Sequence, residues 1–232
     1  MDPLVEIKGL SKTYHNRDGS KTEICNHLNL LVEKGKIYSL IGNSGCGKST
    51  LINMIGGFEK YQEGKILYSG TNTGKIGILF QDNVLFPWKT VMENMLFACR
   101  KLYSNPRSII NEQLELIGLA HVKDCYPEEL SGGMKQRVAL LRVLLTKPDL
   151  VILDEAFGAL DFKTRQDMQD LFLEYHEREK FTAIVVTHDL SEALKLGDKV
   201  WILKSKPFLC EEIEISEKEV SSNLITRMVS SL

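Results

Sequence analysis

Short segments of alternating or uniformly apolar residues follow one another in the N-terminal part of the chain. Residues 5–8, 23–32, 37–41 and 65–68 have the length and the hydrophobic spacing of β-strands. The adjacent Asp18 and Gly19 favour a hairpin turn between the first two of these segments. The pattern predicts an antiparallel β subdomain at the N-terminus.

The spacing of apolar residues becomes helical over residues 85–147. A capping-box pattern, Thr90 with Glu93, precedes a predicted helix over 91–101, and an Asn-Pro pair opens a second helix over 105–118. We therefore predict an α-helical subdomain that is inserted into the core.

Strands and helices alternate in the rest of the chain. The predicted elements are a strand before Asp154, an amphipathic helix with Met168, Leu171, Phe172 and Tyr175 on its apolar face, a strand over 183–187, a capped helix over 191–197, a strand over 200–203 and a short amphipathic tail helix within 216–232. This alternation is typical of an α/β fold with a mixed sheet core, and residues 1–232 are predicted to form a single domain.

A glycine-rich segment follows the buried strand predicted over 37–41. It matches the P-loop pattern G-x-x-x-x-G-K-[ST] with Gly42, Asn43, Ser44, Gly45, Cys46, Gly47, Lys48, Ser49 and Thr50. Backbone amides of such a loop can surround phosphate oxygens, while Lys48 reaches the terminal phosphates and Ser49 ligates magnesium. The context predicts a phosphate site; the alternative is a glycine-rich turn. Cys46 is interpreted as a small loop residue rather than as a stabilised thiolate.

Two adjacent carboxylates, Asp154 and Glu155, end the apolar run over 150–153. Ligands of open α/β sheets bind beyond the carboxyl ends of the strands, so we expect Asp154 to face a nucleotide's magnesium and Glu155 the attacking water. A glutamate in that position can act as a general base, a role worth roughly a hundred to ten thousand in rate. The alternative is a solvated acidic turn.

The sequence LSGGMKQRV, residues 130–138, lies between these two motifs. It resembles the signature motif of ATP-binding cassette (ABC) proteins, and the family's other motifs occur in order as Gln81, a GALD segment ending at Asp161, and His188 after an apolar strand. The chain thus resembles an ABC transporter ATPase subunit from its N-terminal strands to about Leu203. The resemblance implies a P-loop NTPase core that binds ATP and Mg²⁺.

The resemblance also implies roles for individual residues. Gln81 would contact magnesium and the attacking water, and His188 would contact the terminal phosphate and the same water. Tyr14 would stack on adenine. The alternatives are a capping or core histidine at position 188 and a packing or edge-strand tyrosine at position 14.

Ser131, Gly132 and Gly133 open a helix that is predicted to continue to Lys147. Ser131 is a favourable N-cap, and the two glycines leave the helix start open to a phosphate. The family places this motif against the nucleotide of an opposing subunit, so the resemblance implies a head-to-tail dimer enclosing two ATP molecules. Asp161 would support the opposing site, or it simply caps the next helix.

The surroundings of the signature narrow the resemblance to one branch. A Tyr-Pro pair at 126–127 resembles bacterial importers, and a Pro-Trp pair at 87–88 resembles the nitrate, sulfonate and taurine group, whose relatives also handle thiamine and pyrimidine precursors. Transmembrane permease subunits and a solute-binding protein are therefore the expected partners. Trp88 either contacts such a partner or is buried inside the helical insert. Two departures, Ala156 where importers usually have proline and the LLRVLL run after the signature, concern coupling more than hydrolysis.

Composition further restricts the partners, the location and the kinds of site that are expected for the chain. The 232 residues have a net charge of -2 and a hydrophobic content of 43%, which gives no basic footprint for nucleic acid. Without a long apolar run or an N-terminal signal segment, the chain is expected to be cytoplasmic and peripheral on the cytoplasmic face of the membrane. Five cysteines without C-x-x-C spacing support neither a zinc site nor a disulfide framework. The alternative functions are a lipid-transporter or exporter cassette, and a non-transport ABC ATPase acting on nucleic acid.

Overall fold

A computed structural model describes residues 3–69, 75–80, 85–204 and 207–215. Gln81 and the predicted tail helix lie outside these residues. The strands are β1 (Pro3–His15), β2 (Lys21–Glu33), β3 (Ile37–Gly42), β4 (Glu63–Tyr68), β5 (Ile76–Leu79), β6 (Leu150–Asp154), β7 (Thr182–Val186), β8 (Lys199–Lys204) and β9 (Leu209–Glu214). The helices are α1 (Lys48–Ile55), α2 (Val91–Cys99), α3 (Pro106–Leu116), α4 (Gly132–Leu144), α5 (Phe162–Glu179) and α6 (Leu190–Leu196), with 3-10 turns at Ala120–Val122 and Pro127–Glu129.

The N-terminal strands form a three-stranded antiparallel sheet in the order β2-β1-β4. The predicted hairpin turn is confirmed, since the Gly19 amide donates to the Asn16 carbonyl at 3.0 Å between β1 and β2. Both strands extend beyond the predicted ranges because their main-chain pairing continues as far as His15 and Lys21.

A second, six-stranded sheet has the order β5-β6-β7-β3-β8-β9. Its strands are parallel except β9, which pairs antiparallel with β8. The mixed sheet core is therefore confirmed. Strand β9 was missing from the sequence prediction because it is an edge strand in which only Ile213 is buried.

The large sheet is covered on both faces. Along β6, Val151 and Leu153 join the core under the helices, whereas Leu150 and Ile152 face α1 and the antiparallel sheet. This alternation is the period of two expected of a strand, and burial on both faces explains why β6 appears as a continuous apolar run.

The helical segment between β5 and β6 contains α2, α3 and α4. The capping box of Thr90 and Glu93 is present, and Ser131 caps α4 by accepting from the Met134 amide at 3.3 Å. The predicted end of this helix at Lys147 is wrong, since α4 stops at Leu144. That the segment is a subdomain of its own stays a prediction. Within the described ranges, no helix has the length and apolarity needed to cross a membrane.

Candidate active site

Three loops meet where β3, β6 and β7 end. These strands lie side by side and run parallel, so their carboxyl ends share one edge of the sheet. The Thr187 amide donates to the Leu40 carbonyl at 3.1 Å, and the Glu155 amide donates to the Val186 carbonyl at 3.0 Å. The glycine-rich loop, the paired acids and His188 are thereby brought together, as the sequence predicted.

Lys48 opens α1, and its side chain turns back into the loop. Its ammonium group donates to the carbonyls of Gly42, at 2.6 Å, and Asn43, at 3.2 Å, and the residue is buried. The N-terminal turn of α1 has no side-chain cap. A buried cation and uncapped helical amides beside one another are the elements of an anion site.

The positions occupied by glycine in this loop favour glycine for different structural reasons. Gly45 has φ +74 and open space around a hypothetical Cβ, whereas a Cβ at Gly47, φ +120, would lie 2.9 Å from the Phe208 ring. At Gly42 a Cβ would lie 2.8 Å from the Cys46 sulfur, which is buried in the apolar core. Cys46 is therefore a packed small residue, in agreement with the prediction.

A cavity of about 620 Å³ opens beside the loop. It is lined by Tyr14, Asn16, Thr22, Ile24, Ser44, Gly45, Gly47, Lys48, Ser49, Thr50, Glu155 and His188. Most of these residues belong to the predicted site, whereas Asn16, Thr22 and Ile24 on the β1–β2 hairpin were not predicted. The only sequence feature that could have identified these three residues is their position on the same hairpin as Tyr14.

Tyr14 lies at the wall of this cavity. Its hydroxyl is 3.5 Å from the Thr50 hydroxyl, and the Lys12 ammonium lies 4.4 Å from the centroid of its ring. The Lys12 cation is itself held by Glu59 at 2.5 Å. A ring supported in this way can offer a flat surface to a planar ligand.

The two carboxylates differ in environment. Burial, together with the neighbouring charge of Glu155, raises the pKa of Asp154, while the Lys48 charge opposes this shift. Glu155 lines the cavity, and its carboxylate lies 3.7 Å from Nδ1 of His188. Its backbone has φ 48, a left-handed conformation that costs a non-glycine residue roughly 1–3 kcal/mol.

The signature residues occupy a different place. Ser131, Gly132 and Gly133 do not line the cavity. A Cβ at Gly132 would meet nothing within 4 Å, whereas one at Gly133 would lie 2.6 Å from the Thr164 methyl group. Only Gly132 leaves open space for a ligand, and Gly133 is small because α5 packs against it.

Asp161 also lies outside the cavity. It caps α5 by accepting from the Thr164 amide at 3.1 Å, and hydrogen bonds from Thr164 hold the pKa of this carboxyl below its ordinary value. The capping alternative is therefore observed. Sequence reasoning missed Arg165, one residue beyond Thr164, whose guanidinium contacts three carbonyls of the preceding loop.

Comparisons with known proteins agree with the motifs. The sequence model of the family described as ABC transporter matches residues 25–158. The bicarbonate transport ATP-binding protein CmpC of Synechocystis sp. is 39% identical, over 89% of this chain and 32% of the relative. The aliphatic sulfonates import ATP-binding protein SsuB of Bacillus cereus is 40% identical, over 88% of this chain and 82% of the relative. The chain spans about a third of the length of the bicarbonate relatives it matches.

A solved structure shares the fold. MJ0796, described as a bacterial ABC transporter cassette in a dimeric structure, has a TM-score of 0.80 and 29% identity, over 92% of this chain and 99% of that chain. Another MJ0796 structure, described as a post-hydrolysis state bound to ADP and Pi, has a TM-score of 0.77 and 30% identity, over 92% of this chain and 99% of that one. The P-loop NTPase fold expected from the motifs is thus confirmed. The chain belongs to the ABC transporter family.

Proposed function

We propose that this chain is the ATP-binding and ATP-hydrolysing subunit of a membrane importer for a small solute. The observation that carries the proposal is the cavity at the sheet edge, which joins Lys48, Glu155 and His188. An anion-binding loop beside a carboxylate with a neighbouring histidine is suited to phosphate ester or anhydride hydrolysis. The names of the sulfonate and bicarbonate relatives support import of a small solute.

The loop would hold the triphosphate. Lys48 exchanges its two carbonyl contacts for phosphate oxygens, and the amides of Asn43 through Thr50 donate to the same groups. Tyr14 stacks on the adenine from the cavity wall. The Lys12 cation, 4.4 Å from the ring centroid, would help to hold the Tyr14 ring in place.

Ser49, Asp154 and Gln81 would hold Mg²⁺. The raised pKa of Asp154 fits this role, because a carboxylate disfavoured by burial is stabilised by a bound cation. No group of three or more histidine, cysteine or acidic residues suited to a metal occurs in the described part of the chain. Bound there, Mg²⁺ would neutralise developing charge on the phosphate oxygens.

Glu155 would accept a proton from the attacking water. Its carboxylate is 30% exposed, so it can reach a water in the cavity, and the nearby His188 ring can hydrogen bond to the same water or to the terminal phosphate. The left-handed backbone at Glu155 turns the side chain out of the strand direction.

The signature residues would complete the site of a second subunit. Gly132 has open space above it and Ser131 begins the helix, so a phosphate of an opposing nucleotide can approach this end of α4. The dimer described for MJ0796 supports this arrangement. Gly133 and Asp161 would support the same contact from the side.

Permease subunits would dock on an aromatic surface formed by Phe86, Trp88 and Phe97. Trp88 is 70% exposed, which contradicts burial inside the helical segment, and the Phe86 ring lies 5.6 Å from Trp88 and 4.8 Å from Phe97. Buried Asn94 braces this turn through the main chain of Phe86 and Lys89. The subunit would thus work on the cytoplasmic face of the membrane, supplied by a solute-binding protein, with no nucleic acid partner.

The test is Glu155→Gln. The variant should bind ATP with unchanged affinity, hydrolyse it roughly a hundred to ten thousand times more slowly and accumulate as an ATP-bound dimer. Steady-state phosphate release and size measurement decide the matter. Turnover within threefold of the parent would exclude Glu155 as the base.

A further inference from the structure

Arg165, near the start of α5, holds the loop that follows Glu155. Its Nε donates to the Phe157 carbonyl at 3.2 Å, and its Nη2 donates to the carbonyls of Gly158 at 3.2 Å and Leu160 at 3.0 Å. One planar guanidinium thus fixes three main-chain oxygens between Glu155 and Asp161. A fork of donors with a fixed geometry suits this task better than a single ammonium group.

The same side chain also reaches the loop that carries His188. Nη1 of Arg165 lies 3.7 Å from Oδ2 of Asp189, the residue after His188. The other carboxylate oxygen of Asp189 accepts from the amides of Ser191 and Glu192 and so caps α6. Arg165 therefore links the two loops from which Glu155 and His188 extend.

The link made by Arg165 acts on a turn whose backbone is strained at Glu155. The backbone of Glu155 is in the left-handed region, a conformation that persists only when its surroundings over-determine it. The carbonyl of Glu155 already accepts from the Gly158 amide at 3.1 Å. Arg165 holds the far side of the same turn, and its side chain is 28% exposed, so water competes only in part for these contacts.

We propose that Arg165 is a positioning residue for hydrolysis, which sets Glu155 relative to His188 by joining their loops through Asp189. The proposal rests on the proposed function, because it assigns Arg165 to the same reaction. Arg165 touches no group expected to bind the nucleotide, so its effect should fall on turnover and leave ATP affinity unchanged.

The experiment compares Arg165→Lys with Lys195→Gln in the full chain. Lys195, in the last turn of α6, pairs with Asp170 at 2.7 Å, so the control also breaks an ion pair between α5 and α6, but one that involves no residue of either loop. Arg165→Lys keeps the charge and loses the fork. We expect kcat to fall at least tenfold for Arg165→Lys, with ATP affinity within twofold of the parent, and no change in either quantity for Lys195→Gln.

Asp189→Asn provides a second measurement, because asparagine still accepts at the α6 cap and loses the charge that pairs with Arg165. We expect a smaller fall in kcat than for Arg165→Lys, because Arg165 keeps its hydrogen bonds to the three carbonyls of the loop after Glu155. Equal kcat for Arg165→Lys and the control would overturn the proposal. So would a loss of kcat that is matched by an equal loss of ATP affinity. If the parent hydrolyses no ATP, the proposed function itself fails, whereas a Glu155→Gln variant as active as the parent excludes only Glu155 as the base.

Discussion

The cavity at the sheet edge encloses its predicted functional residues, whereas the signature segment exposes its own. The cavity collects residues from β1, β2, α1 and the ends of β6 and β7, and it buries Lys48 within them. The signature segment exposes Ser131 and Gly132 at the surface, and a Cβ at Gly132 would meet no atom of the described chain within 4 Å. One region is enclosed within a single chain, and the other has an open face.

The two regions are nevertheless connected inside the subunit. Gln136, one turn into α4, donates to the carbonyl of Ala156, the residue after Glu155, and Thr164 on α5 packs against Gly133. The signature helix α4 therefore contacts both the loop after Glu155 and the start of α5 directly.

The largest predicted effects distinguish the two regions, because a change in the cavity should weaken ATP binding and a change in the signature segment should not. Lys48→Ala removes the buried cation of the cavity and should weaken ATP binding by at least tenfold, because a charge-assisted phosphate contact is lost. Ser131→Arg should leave ATP binding to the monomer unchanged and reduce turnover at least a hundredfold, because a large side chain blocks the open face. Equilibrium nucleotide titration and phosphate release measure the two quantities.

Mixing these two variants makes the comparison sharper. A heterodimer retains one site in which both the glycine-rich loop and the opposing signature are unchanged, so partial activity should return. Mixtures without any recovered activity would contradict independent shared sites. Loss of ATP binding by isolated Ser131→Arg would contradict the separation of the regions.

The folding stability should depend on pH through Glu192. This residue is buried on α6, the helix that follows His188, and burial, assisted by the charge of Asp189, raises its pKa from 4.5 to about 7, against the opposing effects of Arg165, Gln169 and Thr187. The folded chain therefore binds a proton that the unfolded chain has released between these pH values. Folding stability from this group is full below about pH 4.5 and is lost as pH rises through about 7.

Glu192→Gln removes this titration while keeping an amide partner for Gln169. The variant should gain stability relative to the parent as pH rises from 5 to 8, by at most roughly 3 kcal/mol on the scale of 1.36 kcal/mol per pKa unit. Denaturant unfolding across that pH range measures the difference. Glu177→Gln, an exposed change on α5, controls for the loss of one carboxylate; a parallel gain there would refute the assignment.

The fold was predictable where the hydrophobic period was regular. The strand ending at Asp154 and the capped helix starting at Val91 were predicted because burial on both faces and a capping box leave direct traces in sequence. Strand β9 left no such trace, since its pairing with β8 depends on main-chain contacts at an edge. The end of α4 was misplaced because Pro148 fixes only the latest possible stop.

The site was predictable where a motif lies in one short segment. Lys48 and Glu155 belong to such segments, and the parallel strands bring them together. Arg165 could not be identified, because its three carbonyl partners are main-chain groups that carry no side-chain signal. The different structural reasons for glycine at positions 132 and 133 could not be predicted from sequence either, because the packing of Thr164 against Gly133 is a tertiary contact.

The next smaller effect, a change in folding stability, is expected for the two adjacent glycines of the signature segment. Gly133→Ala places a methyl group 2.6 Å from the Thr164 methyl and should cost roughly 1–3 kcal/mol of unfolding free energy. Gly132→Ala meets open space, so its stability should be unchanged or up to about 1 kcal/mol higher, while dimer-dependent turnover falls. Adding Thr164→Ser, which removes the methyl group, should restore most of the stability of Gly133→Ala. Equal stability of the two alanine variants would show that the distinction is false.

The smallest effect on the isolated chain should come from Trp88, which lies in neither region. Its side chain is exposed, so Trp88→Ala should change the free energy of unfolding by less than about 0.5 kcal/mol and leave ATP turnover of the isolated subunit unchanged. Removing a large aromatic anchor should instead weaken assembly with permease subunits, because such residues carry much of the energy at interfaces. Leu116→Ala, which removes another exposed apolar side chain from α3, is the matched control. Copurification with the permease measures assembly, and equal recovery of the two variants would separate Trp88 from the docking surface.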